Sequence, residues 1–321
     1  MGSELFHGYN CFATAVGQHL INLHKYNAME TLVLRWTFDC NKYWLTENVW
    51  PVGACVEAVD YLLQYDLKLI EGIKISECKV DSYEESFQMM KEQIQKLGSH
   101  VVLVDFYYLK SIDWKRMERF GYFPKHLPHF ICVIGIEDEN VIYQDPMYKY
   151  VGKMSFLEFE TARKISVCGV DHVGTYYNFE FMNSEKKYSF IEKIEYQLRR
   201  YIEHQQYNMI VKFKNGLSEN YEYFLERDNY DWAFNFYLAL ESVTLQRQNF
   251  MLSIRNLYPE ESSMVMNLVR SWIKIRNNFN QIRIKKNARI LKEIIIDLQQ
   301  ITLQEEEICR RLLERIQNVI R

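Results

Sequence analysis

The chain has 321 residues, 48% hydrophobic and 25% charged, with a formal net charge of −3. That is an ordinary globular balance, which argues against disorder and gives nucleic acid no global attraction. No apolar run reaches the roughly 18 residues that a bilayer span takes, and Met1-Gly2-Ser3-Glu4 has neither the basic nor the apolar region of an export signal, so a cytoplasmic chain with reduced thiols is expected.

In chain order, the first strong element is a helix from Cys11 to Leu23. Phe12, Val16, His19, Leu20 and Leu23 fall on one face, and Asn10 stands before it as an N-cap, which puts Cys11 at the first helical position. Helices follow over Ala54–Tyr65 and Tyr83–Leu97. His100–Asp105 is an apolar run of strand length, typical of a central strand. His129–Ile136 and Val141–Asp145, joined by a polar turn, read as a hairpin, and 151–159 and 173–181 are further strands. After about residue 184 the pattern turns helical, over 186–208, 217–226, 230–252, 259–280 and 286–320. In the last of these Leu291, Ile294, Leu298, Ile301, Ile308, Leu312 and Ile316 keep a three-to-four spacing. The expected organisation is α+β for residues 1–183, with an N-terminal helix carrying Cys11 on an antiparallel sheet, and all-α for 184–321.

A free thiol ionises near pH 8.5 and needs help to act as a nucleophile at neutral pH. A helix N-terminus gives part of that help, and an imidazole that can pair with the thiolate gives the rest. In the hairpin, position 129 opens the outgoing strand and position 145 closes the returning one. An Asp there can reach and orient a His. Cys11 as nucleophile, His129 as base and Asp145 as its orienting carboxylate are therefore the candidate catalytic residues.

This arrangement resembles papain-like cysteine enzymes. The motifs are a cysteine opening an N-terminal helix, then His129-Phe-Ile-Cys-Val-Ile-Gly135, then Tyr143-Gln-Asp145-Pro146. The order of His, apolar run, Gly, acidic turn and Asp-Pro is similar to that of bacterial peptidases for double-glycine leader peptides. With Val101-Val-Leu-Val-Asp105-Phe-Tyr107-Tyr108-Leu109 ahead of the His hairpin, residues 8–165 more closely resemble the N-terminal domain of the butirosin-biosynthesis protein H family. The resemblance implies a papain-like fold and an acyltransferase. Such an enzyme moves an acyl or aminoacyl group from a carrier-protein or other thioester to an amine through an acyl-cysteine, in specialised-metabolite biosynthesis. His129 would handle the protons. It also implies that Asp105, Tyr107 or Tyr108 could line the substrate cleft. One departure is that Leu5 stands where papain-like peptidases carry an oxyanion-binding Gln. The oxyanion would fall to the Cys11 N–H with Tyr9, Asn10 or His7. A lost donor is worth about 3 kcal/mol, which a thioester tolerates better than an amide.

Plainer readings stand beside these. Cys40, Cys55, Cys78, Cys132, Cys168 and Cys309 read as small buried hydrophobes. His126, His129 and Cys132 have suggestive spacing, but Pro128 excludes a helix and residues three apart on a strand face opposite sides. No metal and no cofactor are expected. Asp105 could simply cap a turn. The cluster Arg283, Lys285, Lys286, Arg289 and Lys292 could dock an acidic carrier protein or be a solvated face. Hydrolysis by the same three residues (peptidase, amidase or thioesterase), or a non-catalytic binding scaffold, are the rival functions.

Overall fold

The computed structural model describes residues 5–40, 56–57, 60–119, 126–164, 173–182 and 187–320. In chain order the elements are α1 (Cys11–Asn22), α2 (Tyr26–Val33), β1 (Asp39–Cys40), β2 (Val56–Glu57), α3 (Asp60–Glu71), β3 (Ile73–Lys79), α4 (Tyr83–Leu97), β4 (His100–Asp105), α5 (Trp114–Glu118), β5 (Pro128–Glu137), β6 (Asn140–Asp145), β7 (Tyr150–Ser155), α6 (Phe156–Lys164) and β8 (Thr175–Phe181). The helical region follows as α7 (Phe190–Glu203), α8 (Tyr207–Glu219), α9 (Tyr221–Leu225), α10 (Asp231–Ile254), α11 (Pro259–Lys285) and α12 (Leu291–Ile320). The chain is thus α+β with a helical C-terminal region.

It divides into two compact units, residues 1–32 with 60–187 and residues 33–59 with 188–321. The expected boundary near 184 has a counterpart, but the expectation that 1–183 forms one domain needs correction. Residues 33–59 belong to the helical unit, because Leu34, Trp36, Phe38 and Cys40 bury alternate side chains in its core. Backbone bonds reinforce this: Thr37 N–H donates to Gln246 Oε1 at 3.1 Å and Thr37 O accepts from Arg247 Nη1 at 2.9 Å.

The first unit is built on an antiparallel sheet ordered β4-β5-β6-β7, with β3 and β8 paired separately. Strand alternation gives the sheet two apolar faces. Val102, Val104, Ile131, Val133, Val141, Tyr143 and Met154 share a buried cluster with Tyr83 and Met90 of α4 and Phe159 and Ala162 of α6. On the other face α1 packs on β5, where Phe12 meets the Phe130 ring edge-on at 4.9 Å. A register shift between Val133 and Gly135 inserts one extra residue into β5. Helix α4 is delimited as the sequence suggests, by Ser82 accepting from Glu85 N–H and by Gly98 in the left-handed region (φ 78°), where a side chain would strain.

Three expectations were displaced. The helix placed at Ala54–Tyr65 is α3, six residues later, and its first half falls partly outside the described residues. The strand placed at 151–159 is β7 up to Ser155 and then α6, because Ser155 and Glu158 form a capping pair that starts a helix. The single helix placed at 186–208 breaks at His204–Gln206 into α7 and α8, with Gln205 in the left-handed region.

The second unit is a helical assembly around one continuous core. Its centre is polar: Arg247 and Glu305, both fully buried, pair at 2.7 Å. Among the described residues, no helix is long and apolar enough to cross a membrane.

Candidate active site

Helix α1 delivers the thiol. Asn10 adopts an extended conformation and its Oδ1 accepts from Ala13 N–H at 2.8 Å, so Cys11 is the first helical residue. The segment before it is folded back on the helix. Phe6 N–H donates to Gln18 Oε1 at 2.9 Å, Gly8 N–H donates to Thr14 Oγ1 at 3.1 Å, and the Phe6 ring lies where a Cβ on Gly17 would come within 2.2 Å of it. Any side chain at Gly17 must therefore displace the segment that sets the Cys11 approach. Ala13 N–H is taken by the cap and Thr14 N–H by Asn10 O. Among the described residues this leaves the amides of Cys11 and Phe12, at the positive end of the helix, facing charge that develops near the thiol.

Strands β5 and β6 deliver the other two groups. His129 Nε2 lies 3.2 Å from both Asp145 carboxylate oxygens. Cys11 lies close enough to act on the same imidazole and raise its proton affinity, and with Nε2 committed to Asp145 the ring nitrogen left for it is Nδ1. Asp145 is fully buried and accepts a second short bond from Ser111 Oγ at 2.6 Å. Burial works against charge on His129, but the Asp145 charge, its hydrogen bond and the Cys11 contact outweigh it and push the imidazole up to about 10. The ring is thus an imidazolium at neutral pH, fixed on one side by a carboxylate and facing a partly exposed thiol on the other. A thiol at a helix start beside an imidazolium is the arrangement that favours a reactive thiolate.

Aromatic rings surround His129. Phe106 lies 5.0 Å and Tyr148 5.8 Å from it between ring centroids, and Trp114 packs edge-on against Phe106 at 5.3 Å. Ser111, Phe106, Trp114 and Tyr148 are the neighbours that sequence reading missed. They come from a short helical turn, a loop and α5, and nothing in their spacing relates them to His129.

The remaining candidates are placed differently. Tyr9 is buried at 1% exposure, so its side chain is packed inward rather than offered at the surface. Asn10 uses its side-chain oxygen on the cap. Asp105 is also a cap, accepting from Tyr107 N–H at 3.0 Å and Leu127 N–H at 3.3 Å, but its second oxygen takes His126 Nδ1 at 2.7 Å. Tyr107 stacks on the His126 ring at 4.5 Å, and Tyr108 lies 6.0 Å from it. His126, His129 and Cys132 therefore go to three separate neighbourhoods. Among the described residues no group of three or more His, Cys, Asp or Glu could hold a metal ion.

Three of the other thiols differ from Cys11: burial pushes Cys40 and Cys132 up to about 12 and also raises Cys309 well above the ordinary thiol value, which keeps them protonated. Cys78, expected to be a buried hydrophobe, is instead partly exposed, as Cys11 is. Cys55 and Cys168 lie outside the described residues. In the basic cluster Arg283 lies over the Phe234 ring at 4.6 Å and Lys292 over Tyr221 at 5.4 Å. Compared with known proteins, the chain matches no family model and no curated sequence.

Proposed function

We propose that this chain is a papain-like cysteine acyltransferase, using Cys11, His129 and Asp145 to move an acyl or aminoacyl group from a thioester to an amine. The observation that carries this reading is the bridging position of His129, with Asp145 on one nitrogen and the Cys11 thiol on the other. In the first half-reaction the Cys11 thiolate attacks the thioester carbonyl, and the oxyanion is met by the Cys11 and Phe12 amides. Collapse expels the donor sulfur, which takes the proton of the His129 imidazolium and leaves as a thiol. In the second half an amine attacks acyl-Cys11 and gives up its extra proton, the carbon–sulfur bond breaks, and the released thiolate pairs with His129 again once that ring has regained the proton it gave the donor thiol. A thioester donor suits a site whose oxyanion support is mainly backbone. An acyl carrier protein is the proposed macromolecular donor, and specialised metabolism the proposed setting.

The test is intact-protein mass spectrometry after incubation with a panel of acyl N-acetylcysteamine thioesters, on wild type and Cys11→Ala. An acyl adduct on wild type that Cys11→Ala lacks, and that decays faster with added amine, is the expected result. Decay indifferent to amine would turn the reading to hydrolysis. No adduct, with Cys11 alkylated no faster than Cys78, would leave the scaffold reading.

A further inference from the structure

A second carboxylate–imidazole pair lies at the same end of the sheet, and the reaction just described does not use it. The register pairs Leu103 with Phe130 and Asp105 with Pro128. Strand alternation then places Asp105 on the sheet face where Phe130 meets Phe12 of α1. Residue 105 is also the end of β4 beside the start of β5, where His129 stands and the Cys11 end of α1 arrives. Phe106, the next residue, touches the His129 ring.

The two members of this pair are unequally exposed. Asp105 is fully buried, whereas the His126 side chain is 52% exposed. Asp105 is held by the Tyr107 and Leu127 amides, so its other oxygen has a fixed position for His126 Nδ1, and the Tyr107 ring stacks on the imidazole at an interplanar angle of 23°. A carboxylate on Nδ1 makes that nitrogen the N–H donor of the neutral ring and leaves Nε2 as the acceptor, directed outward. Among the described residues, the charged and titratable groups around the ring are Asp105, Tyr107 and Tyr108.

We propose that His126, oriented by Asp105, is the general base that takes the proton from the acceptor amine as it attacks acyl-Cys11. This rests on the acyl-cysteine reading above. The amine nitrogen bonds to the thioester carbonyl carbon, and its extra proton passes to His126 Nε2. The tetrahedral adduct then collapses, breaking the carbon–sulfur bond and releasing the amide and the Cys11 thiolate. His126 afterwards returns the proton to solvent, and His129 regains from solvent the one it gave the donor thiol. The division suits the two rings: His129 is buried and engaged with Asp145, which leaves it little room to meet an incoming amine. His126 is open to incoming molecules.

The experiment separates the two half-reactions in the full chain. Cys11 is acylated with butyryl-N-acetylcysteamine, and butyryl-enzyme decay is followed by mass spectrometry with glycinamide across pH, for wild type, His126→Gln, His126→Ala and Asp105→Asn. His126→Gln should still form the adduct, which reports a folded site, but transfer to glycinamide about 100-fold more slowly. Added imidazole should restore transfer in His126→Ala in proportion to its free-base concentration, which a purely structural role would not give. Asp105→Asn should slow transfer without abolishing adduct formation. Adduct formation with transfer within threefold of wild type in both His126 variants overturns the assignment of the base and leaves the nucleophile standing. No adduct on wild type overturns the acyl-cysteine reading and this one with it.

Discussion

Each unit of the molecule buries a carboxylate against a base, and the two pairs are finished differently. In the helical unit Glu305 accepts five hydrogen bonds: from Arg247 Nε and Nη2, from the Trp36 and Trp272 indoles and from the Tyr201 hydroxyl, at 2.6–3.0 Å. Arg247 places two more donors, both on Nη1, on Thr37 O and Gln246 Oε1. The carboxylate is fully engaged, and the base cannot give up its proton. In the α+β unit the hydrogen-bond partners of Asp145 among the described residues are His129 and Ser111. Its base has a second nitrogen, which faces a thiol, and a proton that can move. A saturated buried ion pair specifies a core, whereas one left open on one side can do chemistry.

Removing the charge at each carboxylate should break this comparison most sharply. Asp145→Asn keeps the shape but removes the group that fixes the His129 tautomer and charge. Acylation of Cys11 per folded molecule should fall on the order of 10⁴-fold. A rate within tenfold of wild type would mean that Asp145 only packs. Glu305→Ala should do the reverse, costing about 4 kcal/mol in stability by stranding Arg247 while Cys11 acylation per folded molecule stays unchanged. Urea unfolding followed by Trp fluorescence would show it, since Trp36 and Trp272 both donate to Glu305. A loss under 1 kcal/mol would deny the network its structural role.

A pH series sharpens the contrast further. The His129 proton affinity is raised in the folded state, to about 10 from the ordinary 6.5. Its contribution to stability is therefore full below about pH 6.5 and lost as pH rises through 10. His19 and His100 behave oppositely. Burial, with a nearby positive charge for His100, holds both near 3, so their contribution is present above pH 6.5 and is lost as pH falls toward 3. The urea midpoint difference between wild type and His129→Gln should shrink between pH 7 and 10. A constant difference over that range would contradict the raised value. The smallest effect is expected from Ser111→Ala, which removes one charge-assisted bond to Asp145, worth about 1.5 kcal/mol or roughly tenfold in acylation rate. An unchanged rate would show that the carboxylate is held without it.

Much of this was legible because the signals are local. The Asn10 cap, the apolar face of α1, the bounds of α4 and the hairpin around 138–139 each depend on residues within a few positions, so they survive reading along the chain. The same logic brought His129 and Asp145 together, since a hairpin's register follows from its turn. The illegible parts are those in which distant segments meet. Ser111 reaches Asp145 from a loop, and Phe106 and Tyr148 meet over His129 from separate turns. The His126–Asp105 pair spans 21 residues, and sequence reading treated its two members separately.

The sequence by itself determined where α1 and α4 begin, which strand pair forms a hairpin and which thiol stands at a helix start, because capping, alternation and turn chemistry act over one or two turns of chain. Only the tertiary structure decided that residues 33–59 belong to the helical unit, that Glu305 collects donors from four segments, and that Cys11 comes to His129. Those outcomes depend on which apolar faces bury against one another, and burial fixes contacts between residues whose separation along the chain carries no information about their distance in space.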